Sequence, residues 1–308
     1  MQCNLNRMTP TPRSLILSLM LGAQSRGDPE LSVRELLAAC ALFDLPANAV
    51  RVALARAVTA GLLVTPRRGC YTLGPEAQPL AHEVSRWRHT QALMTGWTGE
   101  WIAIHVGATG RSDRPALNAR ERAFGLLGFA ELERGLHLRP NNLVGGAQAL
   151  RTRLRALLPL GTEPGTLFAL RDLSDADEQR ARRLWDTATL DATYHDTTAR
   201  LEAWLGSADA LPLDRAARES FAIGHDAIRQ LMFDPLLPAP LIDAQARTRF
   251  IDAVTRYDAA GQAIWQRFLS TARSPASVDA ALPATAPSHR RPRHERPRQD
   301  SAARHLSG

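Results

Sequence analysis

The sequence contains no lysine, so arginine supplies all 38 of its basic side chains other than histidine. Its three cysteines, Cys3, Cys40 and Cys70, form no CxxC pair and have no metal-ligand spacing, which is typical of free thiols in a reducing cytosol. It has no G-x-S-x-G, P-loop or G-x-G-x-x-G motif, the usual signatures of hydrolases and nucleotide-binding enzymes. No stretch approaches the roughly 18 apolar residues that a membrane span requires, so we expect no membrane partner.

One apolar stretch resembles a targeting signal. Residues 14–23, SLILSLMLGA, follow Arg7 and Arg13, as the core of a short signal peptide would. The alternative is the first helix of a small domain, with Leu15 and Leu19 on one side. The following residues are not typical of a secreted protein, so we favour the helix and a cytoplasmic location.

Positive charge is concentrated at the two ends of the chain. Residues 1–90 carry a net charge of +4 and residues 271–308 another +4, whereas residues 91–270 carry −1. Between Asp44 and Glu76 there are four arginines and no acidic residue. A positive field on one small element is expected of a protein that binds a polyanion such as DNA.

Two helices are predicted around this acid-free segment. Ser32, with Glu35 three residues later, forms a capping box before the helix VRELLAACALF. Pro46 opens a second helix and Gly61 ends it, as these residue types do at helix termini. The helical period predicts that one face of the second helix packs on the core, and this face consists of Val50, Leu54, Ala57, Val58 and Gly61.

After the second helix, LLVT and CYTL are predicted to be two short strands joined by PRRG, which completes a winged helix-turn-helix pattern. Such a domain places its second helix in the major groove and its wing on phosphates or in the minor groove. A winged helix that binds protein is the alternative, and the missing acids favour DNA. The predicted DNA contacts are Asn48, Arg51, Val52, Ala55, Arg56, Thr59, Arg67 and Arg68.

Several motifs follow one another in a fixed order: TPRSLILSLM (11–20), AVRVALARAVTAGLL (49–63), RRGCYTL (67–73), WTGEW (97–101) and DPLLPAPL (234–241). Over about residues 11–270 this order resembles the PaaX-type family of repressors, which control phenylacetate degradation operons. Arg51 and Arg56 stand at matching positions. The chain departs from the family at Leu62-Leu63, where Gly-Trp is frequent, and at Ala57, where leucine is favoured; these departures bear on the operator sequence.

The resemblance implies a dimeric transcriptional repressor that is not an enzyme and has no cofactor. Its partners would be double-stranded operator DNA and an aryl-CoA effector, typically phenylacetyl-CoA, whose binding residues the sequence does not identify. The regions expected are a winged helix-turn-helix domain (11–90), a ferredoxin-like α+β domain (95–175), a helical effector and dimerisation domain (176–272) and a basic tail (273–308). The tail is rich in Pro, Ala, Ser and Arg, which is typical of disorder.

The middle of the chain alternates strand and helix patterns. Strands are predicted at 100–106, 130–138 and 165–173, with helices at 116–127 and 145–158, which indicates a small α+β sheet domain. From Ser174 onward the pattern is helical, so the whole chain is predicted to be α+β and mostly helical. The family's ferredoxin-like domain resembles a small CRISPR-associated nuclease subunit. Val106-Gly107 stands where that nuclease has its aspartate, so we expect no nuclease activity.

Two His-Asp dipeptides, at 195–196 and 225–226, are the strongest indication of an enzyme. HD-type metal-dependent phosphohydrolases use one such doublet, but with a further histidine and aspartate on facing helices. Hydrogen bonding on amphipathic helices explains the dipeptides equally well, so a hydrolase remains an alternative and no metal site is predicted. Five tryptophans are expected to be ordinary core residues rather than the lining of a ligand cavity: Trp97, Trp101, Trp185, Trp204 and Trp265.

Overall fold

The computed structural model describes residues 10–107 and 114–273. The mostly helical α+β class is confirmed. The helices are α1 (Pro12–Ser25), α2 (Val33–Ala41), α3 (Ala47–Thr59), α4 (Gln78–Arg86), α5 (Arg114–Leu126), α6 (Gly146–Leu157), α7 (Asp175–Arg182), α8 (Thr187–Leu205), α9 (Leu213–Met232) and α10 (Ala244–Arg273). The strands are β1 (Leu31–Ser32), β2 (Leu63–Arg67), β3 (Cys70–Leu73), β4 (Trp101–His105), β5 (Ala130–Glu133), β6 (Leu136–Pro140) and β7 (Thr166–Leu170).

Local sequence signals set the ends of the N-terminal helices. The predicted capping box is present, because the Ser32 hydroxyl accepts from the Glu35 backbone N–H while the Glu35 carboxylate accepts from the Ser32 N–H. Pro46 caps α3. Gly61 ends α3 with φ +68°, and the N–H groups of Gly61 and Leu62 donate to the last turn of the helix.

The N-terminal core lies between α1, α2, α3 and a three-stranded antiparallel sheet in the order β1-β3-β2. The inner face of α3 is buried in this core through Val50, Leu54 and Ala57, as predicted. Val58 was also predicted to face inward, but it is 37% exposed. Only a narrow stripe of α3 meets α1 and α2, and Val50, Leu54 and Ala57 already fill it. Val58 therefore lies beyond the edge of this stripe.

The central sheet has the order β5-β6-β4-β7, and every neighbouring pair is antiparallel. Its elements follow one another as β4, α5, β5, β6, α6 and β7. The single strand predicted over 130–138 is wrong, because the segment forms the hairpin of β5 and β6. Gly135 has φ +83° at the turn, a conformation that glycine adopts without the usual Cβ clash.

The C-terminal helices form a second apolar cluster. Tyr194, Leu201 and Trp204 of α8 are buried there, as the helical period predicts, together with Phe250 and Tyr257 of α10. The N-terminal core contains further residues of α10 near its other end, namely Trp265, Phe268 and Leu269. With 30 residues, α10 is about 45 Å long. One helix therefore contributes to both cores.

Two predictions concern segments near the ends of the chain. The apolar stretch at 14–23 lies within α1, where Leu15 and Leu19 are buried in the N-terminal core. The predicted basic tail lies outside the described residues apart from Arg273. Across residues 10–107 and 114–273, none of the helices combines the length and apolar character needed to span a bilayer.

Candidate nucleic-acid interface

The outer face of α3 is a solvent-exposed surface without acidic side chains. All six residues predicted to contact DNA from this helix are exposed: Asn48, Arg51, Val52, Ala55, Arg56 and Thr59. Only short side chains lie between the two arginines, so a flat surface could approach the helix backbone closely. Asn48 stands in the first turn, where the helix N-terminus adds partial positive charge.

The hairpin of β2 and β3 carries the other two predicted contacts. Arg67 pairs with Cys70 across the hairpin, so the turn consists of Arg68 and Gly69 alone. The prediction that PRRG forms the whole connection is wrong, because a register irregularity between Val64 and Arg67 accommodates Pro66 and lets β2 continue to Arg67. Arg68 stands at the tip and is exposed.

Arg67 already has an acidic partner. Its guanidinium Nε donates to Glu30 Oε1 at 2.5 Å, although the arginine side chain is 74% exposed. The hydrogen bond to Arg67 is the main cause of a lowered pKa at Glu30, and the same bond raises the pKa of Arg67. Glu30 stands just before β1, next to β3 in the sheet, and was not part of the predicted site.

The remaining arginines of this surface differ from Arg67. Within the described part of the chain, Arg51, Arg56 and Arg68 form no hydrogen bond or ion pair through their side chains. Their charge is therefore available to an external partner without first breaking an internal contact. The interface thus combines three available guanidinium groups with one that a carboxylate restrains.

An open crevice of about 580 Å³ lies beside the hairpin. Arg273, the last residue of α10, reaches it and donates to Glu35 Oε1 at 2.5 Å and to Asp28 Oδ2 at 2.7 Å. No sequence pattern predicts these contacts, because Arg273 and Glu35 are 238 residues apart. The crevice is lined by Asp28, Glu30, Ser32, Arg34, Glu35, Arg67, Cys70 and Arg273.

The two His-Asp dipeptides considered as signs of an enzyme lie outside the surface formed by α3 and the hairpin. His195, Asp196, His225 and Asp226 are exposed on α8 and α9. Among the residues that the structure describes, no three His, Cys, Asp or Glu side chains are grouped so that they could hold a metal ion. Trp101, Trp204 and Trp265 are buried and pack against other aromatic rings, as between Trp204 and Tyr257 with centroids 4.7 Å apart.

Comparisons with known proteins include two family matches and a likeness to a solved structure. Residues 11–77 match the family described as PaaX-like protein, and residues 185–267 match the PaaX-like protein C-terminal domain. An uncharacterized protein from Mycobacterium tuberculosis is similar in fold, with a TM-score of 0.56 and 23% sequence identity over 86% of this chain and 99% of that one. No curated protein matched the sequence.

Proposed function

The chain belongs to the PaaX-like family, and from that premise we propose that it is a ligand-responsive, DNA-binding transcriptional repressor of an aromatic-acid catabolic operon. For an operon of the phenylacetate type, the effector would be an aryl-CoA thioester such as phenylacetyl-CoA. The protein would act as a homodimer in the cytoplasm. The exposed, acid-free face of α3 beside an arginine-tipped hairpin supports this proposal most strongly.

In this proposal, residues 11–90 are a winged helix-turn-helix domain. α2 and α3 form the helix-turn-helix, α3 enters the major groove, and the hairpin of β2 and β3 is the wing. Arg51 and Arg56 would contact guanine edges or phosphates, and Asn48 a base edge. Arg68 would hold a phosphate beside the wing, whereas Arg67 would do so only after leaving Glu30.

The rest of the chain would sense the effector and join the two subunits. Residues 95–175 would form a ferredoxin-like domain, which the order of their antiparallel strands supports, and residues 176–272 the effector and dimerisation domain. The effector must bind the DNA-incompetent pose more tightly than the competent one, because a ligand shifts an equilibrium only by its differential affinity. A tenfold release of DNA requires about 1.4 kcal/mol of such preference.

The decisive experiment is fluorescence anisotropy with DNA from upstream of the gene and with a scrambled duplex of equal length. Arg51→Ala and Arg56→Ala should each cost about 1–3 kcal/mol of binding free energy on the upstream DNA if the side chain contacts a guanine. Arg249→Ala is the matched control, since it removes an exposed arginine from the opposite half of the chain. Its affinity should stay at the parent value.

If Arg51→Ala and Arg56→Ala both bind the upstream DNA like the parent, α3 does not face DNA and a protein-binding winged helix becomes the better proposal. Leu54→Ala separates folding from binding. Leu54 is buried in the N-terminal core, so its truncation should cost about 2–5 kcal/mol of stability. A hydrolase would instead show an activity that a chelator removes.

A further inference from the structure

A small crevice lies where three parts of the chain meet. One wall is the segment that follows α4, another is the central sheet domain, and the third is the end of α9 with the residues after it. Its volume of about 40 Å³ has room for about three water molecules. Arg86, Arg139 and Arg153 line it together with apolar side chains such as Leu231 and Leu236.

Arg139 gives this crevice a buried positive charge without a negative counterpart. It is 1% exposed, and its guanidinium donates only to neutral groups, the carbonyls of Leu127 and Pro140 and the side-chain oxygen of Asn142. Among the described residues no carboxylate forms an ion pair with it. Burial, and then the nearby charge of Arg153, lower the pKa of Arg139 to about 9.

Trp87 contributes a second buried donor to the same crevice. Its ring is 3% exposed, and its indole Nε1 has no hydrogen-bond acceptor within the part of the chain that the structure describes. A buried indole N–H usually has an acceptor, because leaving it without one costs the full desolvation of the group. Among the described residues, Trp87 thus has an N–H group without an acceptor in the same crevice where the buried charge of Arg139 meets only neutral acceptors.

The crevice also contains one carboxylate, Asp234, which does not compensate these donors. Its two oxygens accept from the Tyr194 hydroxyl at 2.6 Å and from the Leu236 backbone N–H at 2.7 Å. Burial raises the pKa of Asp234, so its neutral form is favoured relative to an exposed aspartate. Asp234 is thus already engaged by Tyr194 and Leu236 and does not form an ion pair with the buried guanidinium of Arg139.

We infer that this crevice binds an anionic group of the effector, which in an aryl-CoA thioester is a phosphate, with Trp87 Nε1 and the Arg139 and Arg153 side chains as its lining donors. The inference rests on the proposed function, since it assigns the site of the ligand that the repressor would sense. The volume suits an anionic group of a few atoms. The remainder of the ligand would extend outward along the apolar wall at Leu231 and Leu236.

The test uses the full chain and three probes: inorganic phosphate, phenylacetate and phenylacetyl-CoA. Binding is measured by thermal shift and by titration calorimetry at two ionic strengths. At least one probe should raise the melting temperature of the parent, with an affinity that falls as salt rises. Trp87→Phe, which keeps an aromatic ring and removes the N–H donor, should lower the affinity for that probe about tenfold. Arg153→Gln should lower it at least as much.

Trp204→Phe is the matched control, because it also alters a buried indole, whose N–H donates to Glu219 at 3.2 Å. It should bind the probe like the parent. Arg153→Gln provides an independent variant if Trp87→Phe does not fold. Parent-like affinity in both Trp87→Phe and Arg153→Gln overturns the assignment, as does a parent that binds none of the probes.

The DNA measurement distinguishes this inference from the proposed function. If the parent binds the upstream DNA while the crevice variants leave probe binding intact, the site assignment fails and the repressor proposal stands. If the crevice binds an anion but the chain does not bind DNA, the anion site stands and the repressor proposal fails.

Discussion

The Arg88 guanidinium lies 2.8 Å from the Asp258 carboxylate, and its other terminal nitrogen donates to the Ser25 hydroxyl at 3.2 Å. Arg88 therefore joins α1, α10 and the segment that carries Trp87. Both members of the ion pair are mostly buried, with side chains 27% and 16% exposed. Trp87, which lines the crevice of Arg139, directly precedes Arg88 in the chain.

We expect this ion pair to show measurable coupling. A double-mutant cycle of Arg88→Gln and Asp258→Asn, followed by denaturant unfolding, should give an interaction energy of about 1 kcal/mol or more. The Arg256–Glu202 pair has a similar distance of 2.9 Å but is more than half exposed, so its cycle should give about 0.5 kcal/mol or less. Equal values for the two pairs would contradict the prediction.

The restraint of Arg67 by Glu30 leads to a prediction about DNA affinity. Glu30→Gln should tighten binding to any duplex, because the freed guanidinium can neutralise a phosphate. The slope of the logarithm of the binding constant against the logarithm of salt concentration should become steeper by about one unit. Arg68→Ala should flatten the salt dependence more than Arg67→Ala. Glu202→Gln, which releases Arg256 far from the hairpin, is the control. An unchanged slope in Glu30→Gln would show that Arg67 does not reach DNA.

Truncation near the end of α10 should destabilise the N-terminal core. Phe268 is 7% exposed there and meets Trp265 edge to face at 5.6 Å. Phe268→Ala should therefore cost about 3–5 kcal/mol of unfolding free energy, measured with urea. Phe233→Ala removes the same ring from a half-exposed position and should cost far less. A loss in Phe268→Ala as small as that in Phe233→Ala would mean that α10 is not essential to that core.

His137 should make the protein less stable in mild acid. The ring packs against Phe124, and burial lowers its pKa below the ordinary value of about 6.5, although Glu131 and Glu121 partly oppose this shift. The unfolded chain therefore binds a proton more readily than the folded one, and stability is lost as pH falls below about 6.5.

The measurement for His137 is the melting temperature at pH 7.5 and 5.5. His137→Gln should show a smaller decrease over this range than the parent. His195→Gln, which alters an exposed histidine on α8, should follow the parent. If the decrease is the same in all three proteins, other groups determine the acid sensitivity.

Much of the N-terminal fold follows from local signals. Ser32 with Glu35, and Gly61 after the last helical turn, fixed the ends of α2 and α3 because capping depends on residues only a few positions apart. The alternation of strand and helix likewise predicted the central sheet, apart from the turn at Gly135. The exposure of the eight predicted contacts followed from the helical period and the hairpin pattern, while their contact with DNA stays a prediction.

The contacts that the sequence did not reveal join distant positions. Glu30 restrains Arg67 across 37 residues, and Arg139 and Trp87 line one crevice built from three separate segments. No periodicity or capping rule connects such residues, since their proximity depends on how whole helices and sheets pack. The same holds for Arg88 and Asp258, 170 residues apart.

The path of α10 has a consequence for how the chain folds during synthesis. The N-terminal core lacks Trp265, Phe268 and Leu269 until nearly the whole described chain has been translated. Contacts of such large sequence separation form slowly, because closing a long loop costs entropy before the packing compensates for it. Apolar side chains of α1 and α2 therefore remain incompletely covered on the nascent chain, and during that interval they are a surface for chaperones or for aggregation.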